Sequence, residues 1–363
     1  MTNRSLDEDS TVLRDIGELT SESLTARLRA NGFLYAGQAR EITIERHWTT
    51  RSSRLWNLRI EYSTEAPLSA PRRMLFKTSS PDRSNVNGRE VEFYCRIAPR
   101  MLRPPVPRCF DAAYADGTKA YHLLLEDYSE THCLPEFPLP PVRSHAEMIV
   151  DTLARIHASW WDHPQLGTDI GEFPSDETIR NYVTRAANAF PGFADYMSDR
   201  LSPQNRRLYE QALADYPSWL QQRLRGGADF TLIHADAHVW NFLLPRRNPQ
   251  GPVYVIDWYS HSSVWRCWTG PTDLATLIVP WWHPTRRAEL EDALLRRYHE
   301  QLKKSGVRGY SWDDVTYDYR LAAISSLFNP LFEFGHSSPK RWLPQFEKAT
   351  EAVVQLDCIR QFR

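Results

Sequence analysis

Apolar residues recur along the chain at two periods, and the change of period divides it. Leu24 and Leu28, four apart with Gly32 after them, predict a short helix behind a frayed tail of about the first twelve residues. From Glu41 the period shortens to two. Ile42 and Ile44 alternate with Glu41, Thr43 and Glu45, and Trp56, Leu58, Ile60 and Tyr62 alternate with Asn57, Arg59 and Glu61. With a third run, Met74 to Thr78, they predict an antiparallel meander with one polar face. Asn87 to Ile97 reads as helix, and the four prolines from Pro99 to Pro107 forbid one, so that stretch is an extended connector. Tyr121 to Leu125 predicts a buried strand.

Beyond it the pattern turns helical. Four prolines within Pro135–Pro141 mark a linker edge. Ile149, Leu153, Ile156 and Trp160 then fall on one helical face, and helical spacing dominates after residue 176. Leu290, Leu294, Tyr298 and Leu302 place a helix over Arg286–Lys304, with Gly306 as its cap. Strand signals return only at Phe230–Ile233, Phe242–Leu244 and Val253–Ile256. The expected class is α+β: a small antiparallel-β N-terminal lobe over residues 1–127 and a larger, mainly helical lobe over 128–363, with no internal repeat.

Composition narrows the function. A length of 363 residues suits two domains, and 44 basic against 45 acidic residues argue against a general nucleic-acid binder. No apolar run approaches the ~18 residues of a membrane helix. The polar, acidic N-terminus reads as no secretory signal. Cys95, Cys109, Cys133, Cys267 and Cys358 stand singly, which reads as reduced thiols in a cytoplasmic protein. A soluble intracellular enzyme is the expectation.

The chemistry concentrates at Thr231-Leu-Ile-His234-Ala-Asp236-Ala-His238-Val-Trp-Asn241-Phe-Leu-Leu244. An acidic residue sits there in a loop between apolar strands, with an amide five positions on, and Ile256-Asp257-Trp258 ends a further apolar strand. Phosphoryl transfer from ATP needs such parts: a carboxylate for the proton of the attacking hydroxyl, and an amide oxygen with a second carboxylate for magnesium. The order H-x-D-x(4)-N followed by a strand-end Asp matches the catalytic loop and metal Asp of kinase-fold enzymes. Lys77, ending the strand Met74-Leu-Phe-Lys77, could reach the phosphates, with Glu90 in the next helix to hold it and Glu92 a less favoured partner. Leu123-Leu-Leu125-Glu126-Asp127-Tyr128 could offer backbone groups to an adenine edge.

With these residues the sequence resembles the aminoglycoside phosphotransferase and choline kinase-like superfamily, and within it the ecdysteroid kinase-like branch. The resemblance is carried by Phe76-Lys77, Arg89-Glu90-Val91-Glu92-Phe93-Tyr94, Leu125-Glu126-Asp127-Tyr128, Leu153-Ala-Arg-Ile-His157-Ala and the H-x-D-x-H-x-x-N loop. Ile256-Asp257-Trp258 and Gly270-Pro-Thr-Asp273-Leu-Ala275 complete it, over roughly residues 30 to 280. It implies a bilobal protein-kinase-like fold that uses ATP and Mg2+ on a small-molecule hydroxyl acceptor. It further implies Asp236 as base, Asn241 and Asp257 as magnesium ligands, and Lys77 with Glu90 on the ATP phosphates. Glu126 and Tyr128 would supply hinge backbone contacts, His238 would touch the transferred group, and Asp273 would anchor the catalytic loop. The loop expected over the phosphates, Trp48-Thr-Thr-Arg51-Ser52-Ser53-Arg54-Leu55, has no glycine, so the backbone and hydroxyls of Ser52 and Ser53 would do that work. Tyr259-Ser260 replace the Phe-Gly of a protein kinase, so no activation-loop phosphosite is inferred.

Plainer readings stand beside these. His157 reads as a packing histidine and His234 as a scaffold for the loop. Trp258, Trp265, Trp268, Trp281 and Trp282 read either as core or as aromatic walls for a bulky acceptor. Two rivals to the kinase reading are a non-haem Fe(II)/2-oxoglutarate oxygenase using His234, Asp236 and His283 with Arg286, and a nucleotide-binding pseudokinase. The first would need a jelly roll where the sequence after residue 285 is helical. Polycationic aminoglycosides demand an acidic pocket. Arg266, Arg286 and Arg287 follow Asp257 instead, so the expected acceptor is a neutral or apolar alcohol, such as a sterol-like compound, an antibiotic or another secondary metabolite.

Overall fold

The computed structural model describes residues 11–50, 52–80, 88–248, 251–258 and 266–362. The start of the expected tail, Arg51, Asn87, Tyr259, Ser260 and Trp265 lie outside the described residues. The chain forms two compact units, Met1–Cys133 with Leu243–Tyr259, and Leu134–Phe242 with Ser260–Arg363.

The first unit opens with helix α1 (Ser21–Ala30), whose Thr20 cap accepts a 3.1 Å hydrogen bond from the Ser23 N–H. Strands β1 (Ala39–Thr49), β2 (Ser53–Tyr62) and β3 (Arg73–Ser79) follow, then the short helix α2 (Arg89–Glu92) running into the wider turns of Phe93–Ile97. Strands β4 (Cys109–Ala115) and β5 (Ala120–Glu126) complete a five-stranded antiparallel sheet in the order β1-β2-β3-β5-β4. The short β6 (His132–Cys133) joins a second, three-stranded sheet with β8 (Phe242–Pro245) and β9 (Tyr254–Val255).

On one face of the large sheet Trp56, Leu58, Met74, Phe76 and Leu124 pack with Leu24 and Leu28 of α1. Lys77 belongs to the alternate set, in one cross-strand row with Leu55 and Leu123. The polar face expected of the meander survives along the edge strand β1 and in the second half of β2, where Arg59 and Glu61 are exposed between buried Leu58 and Ile60. In β2, Leu55, Trp56, Asn57 and Leu58 are buried in succession, because the second face is covered as well. The tail also ends earlier than expected. Val12 and Leu13 are buried, and the Leu13 N–H donates to His122 Nδ1 at 3.1 Å.

The second unit is mainly helical: α3 (Arg143–Ser159), α4 (Asp176–Met197) and α5 (Pro203–Arg225), then α6 (Pro271–Ile278), α7 (Pro284–Lys304), α8 (Trp312–Ser325), α9 (Asn329–Glu333), α10 (Pro339–Gln355) and α11 (Cys358–Gln361). Strands β7 (Thr231–Leu232) and β10 (Cys267–Trp268) form one small antiparallel ribbon, Leu232 facing Cys267. Ile149, Leu153 and Ile156 of α3 and Leu290, Leu294, Tyr298 and Leu302 of α7 are all buried, as their spacing predicts. Arg297 of α7 grips both carboxylate oxygens of Asp151 at 2.7 Å. The five cysteines are free thiols. Among the described residues no helix is long and apolar enough to cross a membrane.

Candidate active site

In the first unit the site is built around a buried cation. Lys77 Nζ donates to Glu90 Oε2 at 2.6 Å and to Asp257 Oδ1 at 3.1 Å, while Lys77 and Glu90 are only 7% and 4% exposed. Burial opposes the Lys77 charge, but the carboxylates of Asp257 and Glu90 outweigh it and hold the ammonium's pKa well above its ordinary value. Glu92 faces Arg96 instead, at 3.6 Å, so Glu90 is the partner of Lys77.

Asp257 follows β9 with a φ of +60°, in the left-handed region that a non-glycine residue adopts at a cost. Its neighbour Trp258 is fully buried and stacks on Phe93 with ring centroids 3.7 Å apart and planes within 6° of parallel. Phe93 directly continues the helix that carries Glu90, so this stack joins the backbones of both carboxylates that grip Lys77. The sequence offered no spacing signal for that contact.

Ser52 and Ser53 lie at the β1–β2 turn. The N–H groups of both donate to Thr50 Oγ1, at 3.4 and 3.1 Å, and the Ser53 hydroxyl bonds Tyr121 Oη at 2.7 Å. The turn thus satisfies the backbone donors that a phosphate would otherwise take. At the end of β5 the Glu126 N–H donates to the Arg108 carbonyl at 2.8 Å, and Tyr128 Oη donates to Glu126 Oε2 at 2.8 Å. Tyr128 stacks on Tyr254 of β9, centroids 4.2 Å apart, an aromatic pair that the sequence reading missed. Burial and hydrogen bonding with Tyr254 and Glu126 raise the Tyr128 hydroxyl pKa.

In the second unit the loop from His234 to Asn241 is held through its main chain. Asp273, fully buried in the first turn of α6, accepts from the His234 N–H at 2.7 Å and the Ala235 N–H at 2.9 Å. Its Oδ2 also meets His157 Nε2 at 3.2 Å, and His157 Nδ1 meets the Tyr298 hydroxyl at 2.8 Å. Burial alone would raise the Asp273 pKa, but hydrogen bonding and charge from His157, with help from His234, bring it below the ordinary value. Gly270 is needed at the head of α6, since a Cβ there would collide with the Tyr298 hydroxyl and lie 2.8 Å from His157 Nδ1.

Ala235 takes a φ of +68° and turns the loop toward Asp236. The Asp236 carbonyl accepts from the His238 N–H and from Asn241 Nδ2, each at 2.8 Å. Its side chain stays 40% exposed, with His238 Nε2 3.7 Å from Oδ2. Asn241 is buried.

Other expectations are corrected. Trp258, Trp268 and Trp282 are core residues, and of the described members of that set only Trp281 is half-buried. Trp281 packs edge-on against Trp240, centroids 5.0 Å apart, and Trp240 was not in the expected set. Arg287 is buried in an ion pair with Glu291 at 2.7 Å, and Arg266 is buried too, so neither lines an open pocket. The oxygenase reading finds no support. His234 is a buried loop residue, His283 caps α7, and the chain after His283 is a 21-residue helix rather than jelly-roll strands. Among the described residues no three His, Cys, Asp or Glu side chains group as a metal site.

An antiparallel sheet carrying the Lys–Glu pair, followed by a mainly helical unit carrying the H-x-D loop, defines an α+β protein-kinase-like fold. The profile of the phosphotransferase enzyme family matches residues 67–313, more than half of the chain, and the chain belongs to that family. It is a phosphotransferase. Its fold is similar to that of Plasmodium vivax ethanolamine kinase, with a TM-score of 0.50 at 13% identity over 88% of this chain and 84% of that one. It also matches a spectinomycin phosphotransferase solved with ADP and spectinomycin, with a TM-score of 0.48 and 13% identity over 94% of this chain and 99% of that one. A type VIII aminoglycoside-3'-phosphotransferase matches with a TM-score of 0.41 at 19% identity, over 83% and 98% of the two chains. No curated protein matches in sequence.

Proposed function

We propose that the chain moves the γ-phosphoryl group of ATP to a hydroxyl of a small molecule, with Asp236 as the base. The observation that carries this reading is the Lys77 ammonium, buried and clamped by Glu90 at 2.6 Å and Asp257 at 3.1 Å. The clamp fixes a permanently charged ammonium in place, which is what a lysine that binds the phosphates of ATP requires. Asp236 takes the hydroxyl proton as the acceptor oxygen bonds to the γ-phosphorus. The bond from that phosphorus to the β–γ bridging oxygen breaks, and ADP leaves.

The donor set suits magnesium, which prefers hard oxygen ligands. Asn241 commits Nδ2 to the Asp236 carbonyl, and its Oδ1 is the atom suited to a hard cation, as is the Asp257 carboxylate. Bound to them, magnesium would offset charge on the phosphate oxygens. The Ser52 hydroxyl is assigned to phosphate; that of Ser53, buried and bonded to Tyr121 Oη at 2.7 Å, is assigned to holding the turn. Glu126 and Tyr128 are assigned to the adenine edge and His238 to the transferred group. We also assign the chain to the ecdysteroid kinase-like branch, a reading that rests on the motifs quoted above.

Calorimetry and an ATP-consumption screen over hydroxyl-bearing metabolites and antibiotics test this, with the product identified by mass. Wild-type protein should bind ATP tightly only with magnesium, and Asp257→Ala should lose that dependence. Tight magnesium-dependent binding in Asp257→Ala would overturn the metal assignment. Binding without consumption across the panel would leave a nucleotide-binding pseudokinase.

A further inference from the structure

The turn between β1 and β2 has no glycine, and its main chain is engaged on both sides. The N–H groups of Ser52 and Ser53 both go to Thr50 Oγ1. The Ser52 carbonyl accepts from the Ser80 N–H at 3.0 Å, and the Ser53 carbonyl from the Thr50 N–H at 2.8 Å. Just past the turn, Arg54 pairs with Asp15 at 2.6 Å and donates to the Arg14 carbonyl, so the N-terminal segment braces it. A glycine-rich loop cradles phosphate with its N–H groups. Here those donors are taken, and the serine hydroxyls are what the turn can offer.

The hydroxyls form a row that begins on another strand. Tyr121 of β5 shares a sheet face with Leu123, the cross-strand neighbour of Lys77. Its Oη meets Ser53 Oγ at 2.7 Å, although β3 runs between β5 and β2. The Tyr121 side chain thus crosses β3 on the face that carries Lys77. Ser53 Oγ in turn stands 3.4 Å from Ser52 Oγ. Tyr121 and Ser53 are 5% and 2% exposed, whereas Ser52 is half-buried. Burial, backed by the charge of Glu90, keeps the phenol protonated against the opposing charge of Lys77. An ammonium offers no lone pair, so the phenol hydrogen goes to Ser53. The Ser53 hydrogen then goes to Ser52, and that of Ser52 to an acceptor outside the turn.

We infer that Tyr121 is a positioning residue for the triphosphate: through Ser53 it aims the Ser52 hydroxyl at a phosphate oxygen, in place of the N–H groups of a glycine-rich loop. This rests on the assignment of Ser52 to phosphate, and through it on the phosphotransfer reading.

Calorimetry on the full chain tests it with Mg·ATP and with adenosine, which has the base and ribose but no phosphate. Tyr121→Phe keeps the ring and removes Oη, and Ser53→Ala breaks the same bond from its other end. Each should raise the Mg·ATP Kd about fivefold, the loss of roughly one hydrogen bond, and leave adenosine binding within about twofold of wild type. Ser52→Ala should raise the Mg·ATP Kd at least as much. In Tyr121→Phe/Ser52→Ala the tyrosine change should add nothing further, since no hydroxyl is left to aim. An unchanged Mg·ATP Kd in both Tyr121→Phe and Ser53→Ala overturns the inference. So does an equal loss of adenosine binding, or a full extra factor in the double variant. In each of those cases wild-type protein still binds and consumes Mg·ATP. Failure of the phosphotransfer reading looks different: wild-type protein itself neither binds Mg·ATP nor consumes it, and the inference falls with that reading.

Discussion

Lys77 in the first unit and Asp236 in the second are both placed by carboxylates, but in opposite ways. Lys77 is gripped on its charged atom, by Glu90 and Asp257, and almost nothing of it is exposed. Asp236 is held by its main chain. Asp273 fixes the two preceding N–H groups, Asn241 takes its carbonyl, and its side chain remains 40% exposed. The difference follows from what each group is proposed to do. A group that must stay charged through a reaction gains from counter-charges that hold its proton on. A group that must take up and release a proton is better held by bonds that leave its titrating atoms alone. Asp273 provides the second arrangement for Asp236, because its own charge is committed to the backbone beside the base and to His157, not to the base itself.

Two substitutions test the contrast most severely. Asp236→Asn should cut turnover about a thousandfold, the loss expected when a positioned base is removed. Its folding stability should stay within about 0.5 kcal/mol of wild type, since the side chain is half exposed. Wild-type-like turnover in an ATP-consumption assay would remove Asp236 from the base role. Lys77→Met should behave differently, because it strands the buried Glu90 carboxylate. The expected loss is about 3 kcal/mol of stability by urea unfolding, largely recovered in Lys77→Met/Glu90→Leu, where the pair is replaced by apolar groups. If Lys77→Met unfolds at the same urea concentration as Asp236→Asn, the claimed contrast between charge-held and backbone-held groups is wrong.

Sequence made the elements legible where burial is one-sided or helical. The spacing of Leu290, Leu294, Tyr298 and Leu302 gave α7, and the 3.6-residue period needs no tertiary knowledge. The polar face of the meander holds at Arg59 and Glu61 but fails over residues 55–58 of β2, where the second face is covered too, which no local pattern reports. Strand β4 was missed as well: Cys109-Phe-Asp-Ala-Ala-Tyr-Ala is rich in small residues and alternates weakly. At the site, Lys77, Glu90 and Asp257 could be proposed together because each belongs to or follows a recognisable element in a known order. The Phe93–Trp258 and Phe137–Trp240 contacts could not, since each joins residues more than 100 positions apart with no period between them.

A smaller effect compares the two His–Asp pairs. In the first unit His122 Nε2 meets Asp111 Oδ2 at 2.9 Å, Arg27 Nη1 meets the same oxygen at 2.6 Å, and His122 Nδ1 accepts from the Leu13 N–H. In the second unit the corresponding pair, His157 and Asp273, has a tyrosine hydroxyl as its third member. Burial, with Arg27 adding to it, lowers the His122 pKa despite the raising effect of Asp111 and a weaker one from Glu18. The folded state therefore favours neutral His122. Its stabilising effect is complete above the unfolded pKa of about 6.5 and is lost as pH falls below it. Asp111 is also lowered, to about 2: burial opposes this, and bonds and charge from His122 and Arg27 outweigh it. Its share is present above about pH 4 and is lost only as pH falls toward 2. Melting temperature should decline between pH 6.5 and 5. His122→Gln, whose amide can donate to Asp111 and accept from Leu13, should flatten that decline. An unchanged slope would show that His122 is not the group responsible.

The smallest effect concerns strain, which both loops share. Ala235 at φ +68° and Asp257 at φ +60° each sit in the left-handed region, but only Ala235 has a side chain with no proposed chemical task. Left-handed backbone costs a non-glycine residue about 1–2 kcal/mol, and glycine escapes that cost while losing about 0.5–1 kcal/mol of chain entropy on folding. Ala235→Gly should therefore raise stability by about 0.5 kcal/mol. The N–H that Asp273 accepts at 2.9 Å is kept in that variant, so Asp236 should stay in place and turnover should stay within about twofold of wild type. A drop in melting temperature would mean that the methyl group contributes packing that outweighs the strain. A large loss of turnover at unchanged stability would mean something else: that the stiffness of this residue, and not the Asp273 bonds alone, aims the carboxylate.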